Sequence, residues 1–356
     1  MAAPALRILA GPVALRRLRE EGFDRDAFRA MLGASGGAKW LVLGRLDRQV
    51  VRHVVGGRRE KLFLLGSSIG SWRLSCYARP DPDAALERFE AAYFAQRYDA
   101  RPTPAQVSDQ SRRILEEMLG TAGPAEVLSH PKVRFSVMAV RARNLAALEP
   151  RLVQQAGLLL AAAANALSRR ALGLFFERAL FHDPRDPLPF RLPEGFPAAR
   201  IALTEANFVD AVLASGSIPA VLSGVRDIPG APPGVYRDGG VVDYHFDYPA
   251  TDEGLVLYPH FYPHVVPGWF DKFLPWRRVR GEALERVVLL CPSRDFVADL
   301  PGGRIPDRRD FWDFDTAERL DRWRRAVDAS RRLADEFDEL VESGGFAARA
   351  EPIPAT

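Results

Sequence analysis

The strongest constraint on the fold lies in the first 80 residues, where two glycine-flanked serines punctuate an alternation of strand and helix signals. The stretch DRDAFRAML, residues 24–32, runs into a small-residue loop from Gly33 to Ala38. KWLVLGRLDRQVVRHVV follows, with Leu43, Leu46, Val50 and Val54 at spacings of three and four, which predicts an amphipathic helix. GGRRE breaks it. KLFLL then reads as a short buried strand, and SIGSWRLSCYA as the next helix. A helix between two strands implies a parallel pair with a right-handed crossover. Both glycine loops then leave the carboxyl ends of neighbouring strands, the edge at which such sheets bind ligands. That geometry is expected to set Gly36 and Gly37 beside Ser68.

The rest of the chain continues the alternation. Residues 83–97 and 104–119 read as helices, and VRFSVMAVRA as a strand. Residues 151–181 read as a long helix or a helical pair, its apolar face expected in the core rather than as an acyl-chain wall. NFVDAVLAS is a helix, GVYRDGGVVD a strand entering a glycine turn, and RVVLLCP another buried strand. TAERLDRWRRAVDASRRLADEFDELVESGG predicts one long helix with Leu320, Trp323, Val327, Leu333, Phe337 and Leu340 on or near one face. Gly344 and Gly345 end it. The fold class is α/β, a three-layer α/β/α arrangement with a mainly parallel central sheet. No linker rich in Pro, Gly or Ser divides the chain, so residues 1–356 are expected to form one domain with a C-terminal helical extension from about 312.

Composition removes several function classes. At 47% hydrophobic and 27% charged, the 356 residues are those of a globular chain, not a disordered one. A net charge of +3 and the lack of any recognition motif give no case for nucleic acid. Lysine occurs only at 39, 61, 132 and 272; the arginine excess reads as coding bias. Cys76 and Cys291 form neither a disulfide framework nor a metal-ligand spacing, which suits a reducing, cytoplasmic setting. No metal or cofactor is expected. The N-terminus lacks the charged-then-apolar order of a signal peptide. Arg169 and Arg170 interrupt the longest apolar run, leaving it too short to cross a bilayer.

Both serines fit G-x-S-x-G, so spacing alone does not choose between Ser35 in GASGG and Ser68 in GSSIG. A serine hydroxyl needs a base within hydrogen-bond reach and donors aimed at the developing oxyanion. Adjacent Gly36 and Gly37 carry bare amides that approach a ligand closely, which suits a donor loop. Ser68 follows an apolar strand and precedes a helix, with Gly66 and Gly70 flanking the turn, which suits an attacking elbow.

With the segment that follows, these pieces resemble the patatin-like phospholipases, lipid acyl hydrolases with a Ser-Asp dyad. The matching parts are the glycine loop and basic residue SGGAK (Ser35 to Lys39), the elbow GSSIG, and Asp238-Gly239-Gly240 in YRDGGVVDY. LASGSIPAVLSGV, residues 213–225, looks like the Ala-Ser…Pro stretch that precedes this Asp. The set spans residues 33–240; Ala38 and Lys39 stand where the family has a third glycine and often an arginine. The resemblance implies Ser68 as nucleophile and Asp238 as its base. It implies Gly36 and Gly37, with Ala38 or Ile69, as oxyanion donors, and Gly66, Gly70, Gly239, Gly240 and Lys39 as supporting residues. It implies an ester hydrolase of phospholipase A, lysophospholipase or carboxylesterase type acting on a lipid or acyl ester. An acyltransferase or a non-catalytic lipid-binding protein would use the same scaffold.

Two other patterns compete for a role. Ser68 with Asp238 or Asp243 and His245, His260 or His264 would imitate a Ser-acid-His order. The histidines of YPHFYPHVVPGWF stand among prolines and aromatics, as in a surface loop. Asp243, His245 and Asp247 alternate as on one strand face but lack further metal ligands. Within residues 259–280, Trp269, Phe270, Phe273 and Trp276 lie beside Lys272, Arg277, Arg278 and Arg280. Such a mixture suits peripheral contact with a membrane, as a docking loop or lid, and equally a loop packed by its aromatics.

Overall fold

The computed structural model describes residues 3–98 and 102–354. Eleven strands form one sheet: β1 (Leu6–Ala10), β2 (Phe28–Gly33), β3 (Leu62–Ser67), β4 (Val133–Ala142), β5 (Phe176–His182), β6 (Ala198–Ala202), β7 (Val225–Arg226), β8 (Val235–Asp238), β9 (Leu255–Pro259), β10 (Val287–Pro292) and β11 (Ala350–Pro352). The main order is β11-β1-β10-β9-β2-β3-β4-β5-β6, with β8 pairing both β4 and β7. The central run β10-β9-β2-β3-β4 is parallel throughout. Its strands are apolar and buried on both faces, the pattern of a sheet flanked by helices.

The crossover expected near the N-terminus is present. β2 and β3 are parallel with Gly33 opposite Gly66, so the two serine-bearing loops leave the same edge side by side. The connecting segment is less regular than its periodicity predicts. It runs as a 3-10 helix over Gly37–Leu43, an α-helix over Gly44–Val50 and a π-turn over Val51–Val55. It is also buried well beyond one stripe, because the helices Thr316–Ala329 and Arg331–Glu342 cover it from outside.

Three other expectations are corrected. Residues 176–181, read as helical, belong to β5, which pairs with both β4 and β6; backbone pairing outweighs the local helix pattern. The long terminal helix is two helices meeting at Ser330, whose hydroxyl donates to Val327 O at 2.6 Å and accepts from the Arg45 amide at 3.1 Å. The helix Arg151–Leu167 turns several leucines outward rather than into the core: Leu152, Leu159, Leu160 and Leu167 are exposed.

A buried ion pair lies behind the elbow. Arg73 Nε and Asp47 Oδ2 are 3.0 Å apart, both fully buried, and Arg73 also donates to Pro259 O. The pair ties the segment after the glycine loop to the helix after the elbow.

Candidate active site

Ser68 sits between β3 and the helix Ile69–Tyr77, with φ 54° and ψ −132°. A positive φ at a residue with a Cβ is strained, and here the turn is held from several sides. The Ser68 amide donates to Ser215 Oγ at 2.8 Å, and that hydroxyl donates to Met138 O at 2.7 Å. Ser71 Oγ donates to Ser68 O at 2.7 Å. The flanking glycine is required by contact: a Cβ on Gly70 would lie 2.2 Å from Gly33 O. Gly66 ends the apolar part of β3 opposite Gly33.

Sheet register brings the carboxylate to this serine. Residues 136–138 of β4 pair with β5 on one side and β3 on the other, and residues 139–142 pair with β5 and β8. β8 therefore follows β3 along the same edge of β4, running the opposite way. Ser67 opposes Met138 and Asp238 opposes Ala139, so the carboxyl ends of β3 and β8 meet head to head. Ser68 Oγ donates to Asp238 Oδ2 at 2.7 Å, and the Gly240 amide donates to Asp238 Oδ1 at 2.7 Å. Gly239 permits this approach, since a Cβ there would lie 2.1 Å from Met138 O.

Both groups are nearly closed off, Ser68 at 5% and Asp238 at 6% exposure. Burial pushes the Asp238 carboxyl up to about 6, against the pull of the Ser68 hydroxyl, the Gly240 amide and the charges of Arg308 and Lys272. A carboxylate of that basicity can accept a serine proton more readily than an exposed one.

The glycine loop lies beside the pair. Ser35, the rival nucleophile, is buried and donates to Ser67 Oγ at 3.0 Å, while its amide donates to Tyr244 O at 2.9 Å. Gly36 has φ 179° and ψ −3°, and Gly37 is left-handed at φ 56°. No backbone acceptor among the described residues meets the amides of Gly36, Gly37 or Ala38. Ile69 opens the elbow helix, where amides have no intrahelical acceptor. Lys39 is buried and paired with Asp307; burial first, then the Arg308 charge, lowers its ammonium to about 8.

The histidine alternatives are not brought to Ser68. His245 is fully buried; of the two histidines expected on a surface loop, His260 is fully buried as well and His264 is half-buried. The segment folds inward, and Nδ1 of His245 and Nδ1 of His260 each accept a backbone amide, from Val266 and Tyr262 respectively. Burial drives both rings well below the usual histidine range, His260 to about 3. Asp243, His245 and Asp247 do not converge either: Asp243 takes a bidentate Arg178 at 2.8 and 2.9 Å, and Asp247 faces Arg169. A separate cluster of His53, Asp338 and Glu342 lies on other elements, where Arg52 pairs with both carboxylates.

The aromatic segment divides. Trp269 and Phe270 are half-buried, Phe270 against a small core that includes Val241 and Val242. Phe273 and Trp276 are 89% and 70% exposed. Asp271 anchors the turn by accepting from Asn165 Nδ2 at 2.7 Å, and Arg277 donates to Asn165 O at 3.0 Å. The segment thus joins the carboxyl end of the leucine-bearing helix.

Sequence reasoning placed Lys272 only in the aromatic stretch and gave no site role to Arg308 or to the Ser215 hydroxyl. Lysine scarcity was an available signal: of four lysines, two stand at this site. Ser215 lay within the Ala-Ser stretch already singled out. Nothing local marked Arg308.

A patatin-like phospholipase family model matches residues 63–245, just over half of the chain. No curated protein matches. Among solved structures, VipD from Legionella pneumophila is similar at 10% identity and TM-score 0.37, covering 94% of this chain and 71% of that one. Human GIVD cytosolic phospholipase A2 is similar at 12% identity and TM-score 0.34, covering 94% and 63%. The ExoU–SpcU complex from Pseudomonas aeruginosa is similar at 13% identity and TM-score 0.33, covering 96% and 59%. The chain spans less than two thirds of these last two.

Proposed function

Because the chain belongs to the patatin-like phospholipase family, we propose that it is a serine lipid acyl hydrolase using Ser68 and Asp238 as a dyad. The observation that carries this is the 2.7 Å hydrogen bond from Ser68 Oγ to Asp238 Oδ2 at a strained turn. Ser68 Oγ attacks the ester carbonyl carbon as its proton passes to Asp238. The oxyanion is met by amides of Gly36 and Gly37, with Ala38 or Ile69. The C–O bond breaks, and Asp238 returns the proton to the leaving alcohol. Water then attacks the acyl-enzyme, gives its proton to Asp238, and the fatty acid leaves as Ser68 recovers its hydrogen.

Substrate must reach a hydroxyl that is almost closed off. The turn Trp269–Asp271 packs beside the turn Gly239–Val241 that follows Asp238. We take the segment around it as the part that shifts to admit an acyl chain. Its outer side offers Phe273 and Trp276, continued by the exposed leucines of residues 151–167, and Arg170, Arg277 and Arg278 stand nearby. Apolar groups edged by cations fit peripheral contact with an anionic bilayer. No helix among the described residues is long and apolar enough to cross a membrane. Two free, buried thiols fit a cytoplasmic setting. We take residues 1–356 as one unit, since β11 near the end of the chain pairs with β1 near its start.

Labelling with a fluorophosphonate probe, followed by peptide mass spectrometry, tests the assignment. Modification of Ser68, with turnover of a short p-nitrophenyl ester lost in Ser68→Ala and Asp238→Ala, is the expected result. Modification of Ser35 instead, or full turnover in Asp238→Ala, would overturn it.

A further inference from the structure

Ser35 has the spacing of a nucleophile but no part in the dyad, and its contacts give it another task. Its hydroxyl donates to Ser67 Oγ at 3.0 Å, and its amide donates to Tyr244 O at 2.9 Å. Ser35 is almost fully buried and Ser67 is fully so. The two hydroxyls join three segments. Ser35 belongs to the glycine loop after β2, and Ser67 ends β3 one residue before the elbow serine. The third segment is the turn after Asp238. A Cβ on Gly239 would lie 2.7 Å from Ser67 Oγ, and one on Gly240 would lie 2.5 Å from Ser35 Oγ. Both glycines therefore rest directly on the hydroxyl pair, and the Gly240 amide is the group that holds Asp238 Oδ1.

Where this tie ends, the free donors begin. Gly36, Gly37 and Ala38 follow Ser35 directly, and their amides meet no backbone acceptor among the described residues. An unpaired amide stabilises an oxyanion best when its direction is fixed before the charge forms. Two adjacent glycines have no side chains to fix it and wide conformational freedom to lose it. Packing supplies one restraint, since a Cβ on Gly36 would lie 2.6 Å from the Phe261 ring. Ser35 supplies the other, held through its main chain by Tyr244 and through its side chain by Ser67. A buried hydroxyl pair is stable while both members are present, and deleting one strands the other.

We propose that Ser35 and Ser67 are positioning residues whose shared hydrogen bond sets the glycine-loop amides and the Asp238 turn in place around Ser68, an inference that rests on Ser68 and Asp238 being the hydrolytic pair. Neither hydroxyl exchanges a proton with substrate. Breaking their bond lets the glycine loop and the Asp238 turn shift against each other. The oxyanion is then met less well, while contacts with the rest of the ester are kept, so the loss falls on the transition state rather than on substrate binding. The second glycine-flanked serine serves the placement of the loop, not the attack.

The test is a double-mutant cycle in turnover of a short p-nitrophenyl ester, with Ser35→Ala, Ser67→Ala and both together, each checked for folding by thermal melting. In each single variant kcat should fall about tenfold or more, less than the loss of a whole oxyanion donor, with KM within about twofold of the unaltered chain. The double variant should fall no further than either single one, because either deletion already breaks the one hydrogen bond. Fluorophosphonate labelling of Ser68 should slow in parallel. Ser67→Ala leaves the glycine loop's own residues intact and carries the test if Ser35→Ala does not fold. Unchanged kcat in the folded variants, losses that multiply in the double variant, or a loss expressed in KM would overturn the proposal. Complete loss of turnover in Ser35→Ala, with Ser67→Ala unaffected, would mark Ser35 as the attacker and overturn it as well. Failure of the hydrolase reading appears instead in the unaltered chain, as an unmodified Ser68 and no ester turnover.

Discussion

Ser67 and Asp238 oppose consecutive residues of one strand, Met138 and Ala139, although they stand on different strands running in opposite directions. β4 is longer than β3, and β8 occupies the part of its edge that β3 leaves free. A hydroxyl one residue beyond Ser67 then has a carboxylate at hydrogen-bond distance with no loop needed to carry it there. Backbone register, not side-chain reach, sets the separation. Such a site tolerates surface changes but not changes in how β8 seats on β4.

The basicity of Asp238 should appear in the pH profile. In the proposed dyad its carboxyl must be ionised to accept the Ser68 proton, and burial raises it to about 6. For a short neutral p-nitrophenyl ester, kcat/KM should rise through an acid limb centred near pH 6. The groups that lower this value are the Ser68 hydroxyl, the Gly240 amide, Arg308 and Lys272. Lys272→Met removes one cation and should move the limb to higher pH, with Arg308 still in place. A limb that stays where it was, or moves down, would contradict the placement of the Lys272 charge.

The same burial makes Asp238 costly to the fold. A carboxyl raised from 3.8 to about 6 carries no penalty when protonated, below pH 3.8, and the full penalty once ionised above about 6. The shift corresponds to about 3 kcal/mol. Asp238→Asn should therefore gain stability relative to the unaltered chain as pH rises from 4 to 8, by up to that amount, while losing ester turnover. Urea titrations at the two pH values give the difference directly. An effect independent of pH would mean that the carboxylate is not desolvated.

Much of this geometry was legible in the sequence, and the reasons differ by part. Glycines at 33, 66, 70 and 239 mark places where backbone meets backbone, and that requirement is written residue by residue. The crossover between β2 and β3 follows from period alone. The head-to-head meeting of β3 and β8 does not, because it depends on β4 outrunning β3. β5 was hidden for a similar reason, since FERALFH becomes a strand only by pairing on both sides. His260 was misread because proline and aromatic neighbours describe a loop without saying whether it folds inward. Lys272 and Arg308 approach the glycine loop from distant segments, and no local pattern announces that.

Ser215 should act as a positioning residue. Its hydroxyl accepts from the Ser68 amide and donates to Met138 O, both in buried surroundings. Ser215→Ala leaves a buried donor and a buried acceptor unpaired, a cost of about 1–3 kcal/mol for such a group. With a short ester, kcat should fall more than KM rises, because the elbow loses orientation rather than substrate contact. Ser215→Thr, which restores a hydroxyl, should recover part of kcat if its added methyl is accommodated. Equal stability loss with unchanged kcat would reduce Ser215 to a structural part.

The Asp47–Arg73 pair should behave as a structural clamp. Both side chains are fully buried. Asp47→Ala leaves an uncompensated guanidinium and should cost about 3–5 kcal/mol. Replacing both partners with apolar residues, as in Asp47→Leu with Arg73→Met, should cost clearly less, since no charge is then stranded. Chemical denaturation of the three chains distinguishes the cases, and a double replacement as damaging as the single one would show that the helix after the elbow needs the charges themselves.

Membrane contact can be separated from folding because the groups concerned are exposed. Phe273 and Trp276 contribute little to packing, so Phe273→Ser with Trp276→Ser should change stability by no more than about 0.5 kcal/mol. Loss of their insertion into the headgroup zone should weaken binding to vesicles containing phosphatidylglycerol. Leu159, Leu160 and Leu167 lie within about 100° of one another around their helix, so polar replacements there should add to the loss. Added salt should weaken what remains, as expected for Arg170, Arg277 and Arg278 near anionic lipid. Trp269→Ala and Phe270→Ala make the contrast, since Phe270 packs against Val241 and Val242 after Asp238 and Trp269 packs on Phe270, so both should lower stability and ester turnover first. Vesicle sedimentation beside thermal melting reads both effects. If the exposed pair lowers the melting temperature and leaves sedimentation unchanged, the face packs against protein rather than lipid.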